Sequence, residues 1–565
     1  FQIINGRRSI DLLLFSLYSM KHFFILCFFM IAQLIIAQNT VGTLLLDESL
    51  ALDGYTVYTP NKQSTTYLID NCGQVVNQWT DNPMAGLGAD QYILEDGSLL
   101  ISKFDSSITT EPSIGTGGSG GIIEIRSWEN ELKWRYVIRD SLQLQHHDIH
   151  MMPNGNVLAI ALDRHFLEEI VAMGFDTSSN NQRELWPDKI IEIDTATNEI
   201  VWEWRAWDHT IQDLDSEKIN FGSVSDNPQL IDINYQEFSF GRQDWMHSNS
   251  IDYNEDLDQI LISVRNFQEV WIIDHSTTKE EAASDTGGIY GVGGGLLFRW
   301  GNDHAYKKGE FIDRHFYYQH DASWLDEPFH SSAEFFNMIS VYNNFINSEY
   351  SLGAILNPTV VDGIYKMEEG TYLPNNIYQT ISHPDTVKQL SAAASNFQLL
   401  PNGNFLLHAG RQGRTMELTS DADPVWEYFV PMRNGVAIDQ GDILQVSDNF
   451  TFSGRKYPAD YIGFEDKDLS PKGYIELMPS DLFCNPLSTD VYKINEYGVF
   501  PNPSSFNITL TTLKVGDPLT IFDVYGNSVL TTSAIKDSPT LNIQKLDPGI
   551  YIILSDKESY SFVKI

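Results

Sequence analysis

Cysteine is almost missing from this 565-residue chain, which has only Cys27, Cys72 and Cys484. Three are too few for a disulfide scaffold or a cysteine-only zinc module. Cys27 falls in a segment read below as removable, so Cys72 and Cys484 are either bridged across the main domain or two unrelated thiols. Basic residues are also scarce: 36 Lys and Arg stand against 76 Asp and Glu, a formal net charge of −40. That excludes a nucleic-acid partner, because nothing supplies the excess of cations that displaces counterions from phosphate. No apolar run reaches the roughly 20 residues of a membrane helix; the run from Phe23 to Ala37 stops at about 15. The stretches Gly115-Thr-Gly-Gly-Ser-Gly-Gly121 and Gly293-Gly-Gly295 lack the following Lys of a phosphate loop, and are expected to be flexible connections. Apolar and aromatic residues, by contrast, are plentiful at 42% and 12%, which argues for a large packed core and against disorder.

The N-terminal region reads as a secretory signal. Met20 and Lys21 precede the short apolar run, and polar Gln38, Asn39 and Thr40 follow it, so cleavage is expected after Ala37. Residues 1–19 are expected to be upstream sequence foreign to the protein. The predicted organisation is 1–37 upstream residues and signal peptide, 38–485 a main domain, and 498–565 a small β-sandwich. The sandwich rests on alternating apolar strands at Ile508–Leu510, Leu519–Val524, Leu541–Ile543 and Pro548–Ile552.

Between these ends the chain repeats. A strand pair closing on an aromatic residue recurs six times: Tyr67–Trp79, Ile122–Trp134, Ile190–Trp204, Val270–Trp300, Gly363–Tyr378 and Thr415–Trp426. After each is expected a strand-turn-strand unit, clearest in Pro153-Asn-Gly-Asn-Val-Leu158 and Pro401-Asn-Gly-Asn-Phe-Leu406, where Asn-Gly supplies the positive φ of a tight hairpin. Two strands plus two strands, six times, predict an all-β fold: a six-bladed β-propeller, its last blade joining residues near 430–476 to the strand after Gln38. Segments 165–187, 205–245 and 330–360 exceed hairpin lengths and are expected to fold over one rim.

Counting back seven residues from each turn reaches Ala89, His147, His247, His320 and Ser395, with Arg433 at a sixth, looser place. Equivalent positions in the blades of a ring surround one axis, so three histidines at one offset should converge on a central cavity. His247 belongs to Met246-His-Ser-Asn249, and Arg265 follows on the return strand, bringing a planar guanidinium suited to sulfate, phosphate or carboxylate. His146 and His150 flank His147, and the shared offset selects His147. Three histidines could equally hold zinc or iron with an open position, making a metal-dependent hydrolase or lyase with Asp148 and Asp321 orienting the ligands. A non-enzymatic binding propeller is the third reading.

The segments Gln145-His-His-Asp148, Trp245-Met-His-Ser-Asn249 with Arg265, Gln319-His-Asp-Ala322, Ser395 to Asn404 with Gly413-Arg414, and Arg455 to Tyr461 resemble the bacterial aryl-sulfate sulfotransferases that use no nucleotide sulfate donor. The resemblance implies transfer of a sulfuryl group from an aryl sulfate to a phenolic acceptor, with no cofactor and no metal. It implies His320 as the sulfated nucleophile, His147, His247, Asn249 and Arg265 as ligands of the sulfuryl oxygens, and Ser395 as a substrate-binding hydroxyl. Phe500-Pro-Asn-Pro503, Ile521 to Gly526 and Leu546 to Tyr551 resemble the C-terminal sorting domain of type IX secretion in Bacteroidota. That implies the type IX machinery as a partner and a secreted or cell-surface location. A homodimer is compatible with the sequence, which carries no sign for or against it.

Overall fold

The computed structural model describes residues 39–80, 90–104, 114–178, 182–236, 243–325, 334–479, 499–510, 513–523, 528–555 and 559–565. The expected signal peptide and its cleavage point, residues 1–19, Ala89 and Cys484 lie outside them. The chain is nearly all β; the helices among the described residues are the short Leu167–Ala172 and Lys279–Ala282. No described helix is long and apolar enough to cross a membrane. Residues 1–480 and 481–565 form two compact units.

In the first unit the described residues form six antiparallel sheets of four or five strands. The first comprises Gln91–Ile93, Leu99–Phe104, Gly121–Arg126 and Leu132–Val137; the second Gln143–Met151, Val157–Asp163, Asp188–Ile193 and Ile200–Arg205. The third holds Ser248–Asn254, Gln259–Val264, Glu269–Asp274 and Phe298–Trp300; the fourth His320–Leu325, Met338–Ile346, Tyr350–Leu356 and Gln379–Ile381. The fifth contains Asn396–Leu399, Phe405–Ala409, Arg414–Leu418 and Pro424–Phe429, with Gly42–Leu46 added outside; the sixth contains Thr451–Pro458, Gly54–Pro60, Thr65–Asp70 and Val75–Thr80. Middle strands such as Gln259–Val264 are buried on both faces and read as continuous apolar runs, whereas the edge strand Leu132–Val137 alternates between half-buried and exposed.

The repeats recur as contacts. At the two Asn-Gly turns the positive φ falls on Gly155 (86°) and Gly403 (84°), and the preceding asparagine accepts from the backbone N–H two residues on. The next asparagine then donates to a glutamate on the third strand, Asn156 to Glu192 at 2.5 Å and Asn404 to Glu417 at 2.6 Å.

Four expectations change. The fifth strand pair is not Gly363–Tyr378: the third strand of its sheet is Tyr350–Leu356, while Ile364–Tyr365 belongs to a small hairpin around the Asp362-Gly363 turn. For the same reason 330–360 is no rim loop, since it carries the two central strands of the fourth sheet. The strand after Gln38 pairs with Pro424–Phe429 in the fifth sheet, and Thr451–Pro458 meets Gly54–Pro60 instead. Cys72 is disulfide-bonded, which removes the reading of an unrelated thiol for that residue.

The inner strands are laced together by side chains that capture backbone N–H groups of the next sheet. Asp148 accepts from Ile251 (2.9 Å), Asp252 from Trp324 (2.6 Å), Asp321 from Phe397 (2.9 Å) and Asn396 from Gly454 (2.8 Å). The circuit closes through Arg455, which donates to Asp90 at 2.8 Å and to Asp321 at 2.7 Å, and through Tyr92, whose hydroxyl donates to Asp148 at 2.7 Å. Each link satisfies an edge N–H that would otherwise be buried without a partner. Burial pushes the Asp148 and Asp321 carboxyls up from their ordinary values, against the pull of Arg455. Arg455→Met strands these carboxyls without their cation, so unfolding in urea should show a loss of about 3–5 kcal/mol.

In the second unit, Val499–Phe500, Asn507–Leu510 and Thr540–Asn542 form one sheet, and Ser528–Ser533, Pro518–Asp523, Gly549–Ser555 and Ser559–Lys564 form another. Ile508 and Leu510 from the first share a buried core with Leu519, Ile521, Ile553 and Phe562 from the second.

Candidate active site

The three histidines meet. His320 opens the inner strand of the fourth sheet, His247 immediately precedes that of the third, and His147 lies within that of the second. The His147 and His247 rings are 4.6 Å apart at 72°, and Phe452 of the sixth sheet lies 5.7 Å from His147 and 6.1 Å from His320. His147 and His247 have φ of 52° and 54°, and Ala394 and Ser395 have 59° and 99°. Left-handed backbone at non-glycine residues is strained, and here it falls on or beside the inner strands that carry the histidines.

His320 is held in one tautomer. Its Nδ1 faces two acceptors, the Tyr318 carbonyl and Asn344 Oδ1, both at 2.9 Å, so Nδ1 carries the proton. Nε2 therefore keeps its lone pair, which accepts the Ala394 N–H at 3.0 Å. Asn344 is oriented in turn by donating to the carbonyls of Ser391 and Ala394. Burial, with Arg265 nearby, lowers the His320 pKa to about 3, so the ring is neutral at ordinary pH.

His146 stands behind His147: its Nε2 faces Asp188 at 3.1 Å and its Nδ1 meets His147 Nδ1 at 2.8 Å. The Nδ1 of His147 is thus committed to His146. Burial and the neighbouring imidazoles hold His147 well below its ordinary value, so it is no proton donor. His150 points elsewhere, pairing with Asp252 at 3.2 Å beside a separate cavity. Of the three, His147 is the one whose ring packs against His247.

Several partners were invisible to pattern reading. Asp244 Oδ2 lies 2.5 Å from His247 Nδ1, and Thr116 donates its hydroxyl to the same carboxylate oxygen. His247 holds the Asp244 carboxyl far below its ordinary range, so it is ionised and orients His247 through Nδ1. Thr116 belongs to the glycine-rich stretch expected to be a flexible connection. It is a wall of the site instead: the His147 N–H donates to the Gly118 carbonyl at 2.8 Å, and a Cβ on Gly118 would lie 2.2 Å from the His147 ring. Glycine is present because backbone must approach an imidazole. Gly118→Ala should therefore displace His147 and overpack the wall, a loss of about 1–3 kcal/mol read from unfolding in urea.

The remaining expected residues are placed as follows. Arg265 stacks over Tyr318 at 4.9 Å and donates to Asn266 at 2.9 Å, and its charge depresses both His147 and His320. Asn249 donates to the Gln319 carbonyl at 2.7 Å, tying the third inner strand to the residue before His320; its Oδ1 has no hydrogen-bond partner among the described residues. Ser395 is buried and accepts the Gly410 N–H at 3.1 Å, so its hydroxyl serves the backbone. The Nδ1 atoms of all three histidines are turned to protein partners, and among the described residues no group of three or more His, Cys, Asp or Glu is arranged to hold a metal ion.

A family model described as Arylsulfotransferase (ASST) matches residues 92–431. The chain belongs to that family. All six residues singled out above, from His147 to Ser395, fall inside the matched span. A second model, Secretion system C-terminal sorting domain, matches 498–565, which supports export and a secreted or cell-surface location for this arylsulfotransferase-family chain. No curated protein matches it significantly. Among solved structures it is similar to a protein of unknown function from Bacteroides caccae, at 11% identity and TM-score 0.37, over 72% of this chain and 98% of that one. It is also similar to virginiamycin B lyase from Staphylococcus aureus (10%, 0.31, 74% and 98%) and to PorZ of Porphyromonas gingivalis, described as a component of the type-IX secretion system (10%, 0.27, 89% and 64%). At these scores the likenesses carry no argument about fold or activity.

Proposed function

We propose that the chain is an aryl-sulfate sulfotransferase working through a sulfated His320, in two half-reactions and without a nucleotide donor. The observation that carries the reading is the state of His320: neutral, with Nδ1 committed and a lone pair on Nε2, beside an arginine and two further imidazoles. The Nε2 lone pair forms a bond to sulfur while the bond from sulfur to the aryl oxygen breaks. The departing phenolate takes a proton from His247, whose imidazolium the Asp244 carboxylate stabilises. An incoming phenol then returns its proton to His247 and attacks sulfur, and the N–S bond breaks to free His320. Sulfuryl transfer resembles phosphoryl transfer in having a loose transition state, so charge stabilisation by Arg265 and oriented contacts from His147 and Asn249 dominate. Ser395 acts by shaping the Ala394–Ser395 backbone against His320. The Ala394 N–H must leave Nε2 as the bond to sulfur forms.

The architecture fits the same reading. A closed circuit of inter-sheet bonds supports a six-bladed propeller with the histidines around its axis, and the shared core of the second unit supports a β-sandwich that serves as the type IX address.

Incubation with an aryl sulfate followed by peptide mapping should place one SO3 addition on the peptide carrying His320. Addition elsewhere, or none with turnover intact, overturns the mechanism. An ordinary histidine nucleophile would lose reactivity on protonation near pH 6.5. With His320 at about 3, the burst of phenol from an activated ester such as 4-nitrophenyl sulfate should show no acid limb between pH 7 and 5. A limb near 6.5 would assign the attack to another group.

A further inference from the structure

The nucleophilic nitrogen of His320 is capped. Its Nε2 accepts the Ala394 N–H at 3.0 Å, so a sulfur bonded to that lone pair would occupy the space in which this amide lies. The amide therefore has to move in every turnover and to find another acceptor. Ala394 is only 2% exposed, and a backbone N–H buried without an acceptor is costly. The carbonyls around it are already engaged: that of Ala394 accepts from Asn344 Nδ2 at 3.0 Å, that of Phe452 from the Ser395 N–H at 2.9 Å, and that of Ala393 from Ser391 Oγ at 2.7 Å. The acceptors that arrive with the substrate are the sulfuryl oxygens, carried on the same sulfur that displaces the amide.

The backbone here is poised to shift. Ala394 and Ser395 hold φ of 59° and 99°, a strained left-handed conformation for residues with a side chain. The peptide unit after Ala394 is fixed at both ends, by Asn344 and by the Phe452 carbonyl. The unit before it, which carries the N–H, is held by Ser391 Oγ and by His320 itself. Ala393 is half-buried, so this unit has space beside it. On the other side Gly410 packs so closely that a Cβ there would lie 2.8 Å from the Ala394 methyl and 2.9 Å from Ser395 N. Glycine leaves the segment room that any side chain would fill.

We propose that the Ala394 N–H is a catalytic donor with two settings: it caps His320 Nε2 between turnovers and, once displaced, donates to a sulfuryl oxygen during transfer. The inference rests on the sulfohistidine reading and adds a backbone group to it. In the first half-reaction the Nε2 lone pair forms the N–S bond and the electron pair of the S–O bond leaves on the phenolate. The amide keeps its hydrogen throughout and exchanges nitrogen for oxygen as acceptor; attack by the incoming phenol reverses each change. A donor whose bond to oxygen forms only as sulfur engages His320 favours the transition state over the bound ester, and so acts on kcat.

The test uses the full chain with Ala394 replaced by L-lactic acid, read in at a stop codon, which keeps the methyl side chain and turns the amide into an ester without the N–H. Sulfation of His320 by 4-nitrophenyl sulfate, followed as the phenol burst, should slow about 10²-fold. Methylation of the same ring by methyl 4-nitrobenzenesulfonate, whose reacting carbon carries no oxygen, should not slow, because only the cap is lost. A crystal of the unaltered chain soaked in 4-nitrophenyl sulfate without acceptor should place Ala394 N within about 3.2 Å of a sulfuryl oxygen on His320, a result independent of whether the ester chain folds. Equal slowing of sulfation and methylation, or a trapped adduct with the amide turned away from the sulfuryl oxygens, overturns the proposal. An unslowed burst with SO3 still found on His320 ends this inference alone; absence of SO3 from His320 in the unaltered chain ends the sulfohistidine reading and the inference with it.

Discussion

His320→Ala should abolish sulfuryl transfer, lowering kcat/KM by about 10⁴-fold or more, and should remove the covalent SO3 adduct from the mapped peptides. The size of the effect follows from the half-reactions: without the nitrogen nucleophile there is no place to store the group between donor and acceptor. Binding of aryl sulfate should survive, because Arg265 and His247 remain. Circular dichroism and the unfolding midpoint separate loss of chemistry from loss of fold. Ala394 then has an N–H with no partner, so a modest destabilisation is expected, and His320→Gln offers a less disruptive replacement. Transfer persisting above background in both variants would end the reading of His320 as the carrier.

Arg265→Ala carries the second-largest expectation, a fall in kcat/KM of about 10²–10³-fold, expressed mainly in kcat. The guanidinium stacks on Tyr318, and its field depresses His147 and His320. In the proposed mechanism it acts twice, keeping His320 neutral and meeting charge that builds on the sulfuryl oxygens. Arg265→Lys retains a positive charge but not the planar fork, and should recover only part of the loss. An effect confined to KM would mean that the arginine binds donor and transition state equally, contrary to the proposal. Asp244→Asn should act through His247 alone: it should slow esters of poorly acidic phenols far more than 4-nitrophenyl sulfate, whose leaving group needs no proton.

How far the site could be read beforehand depended on whether its parts were local in the chain. Counting back seven residues from each turn brought out His147 and Ser395 from Asn154-Gly155 and Asn402-Gly403, and His247 and His320 from the weaker turns at Asn254 and Glu327, before any coordinates. His147 was separable from His146 and His150 because strand register places residues by count, and the neighbouring rings indeed face Asp188 and Asp252. The fifth strand pair was misplaced because Asp362-Gly363 marks a real turn, but one in a side hairpin, and the third strand of that sheet is Tyr350–Leu356. The stretch Gly115–Gly121 was misjudged for a different reason. Glycine signals flexibility and close approach with the same letter, and only the His147 ring against Gly118 distinguishes them. Asn344 and Phe452 carried no pattern, since each meets a histidine from another segment or another sheet, and Asp244, although three residues from His247, stands at no repeat position.

Residue spacing alone therefore established that the chain is built of repeated β units with three histidines in equivalent places, because turn chemistry and alternation are short-range properties. The protonation of those histidines, their partners and the wall that covers them were decided by tertiary structure. They depend on burial and on carboxylates, amides and backbone groups from distant segments, whose fields and hydrogen bonds exist only once the sheets close on one another.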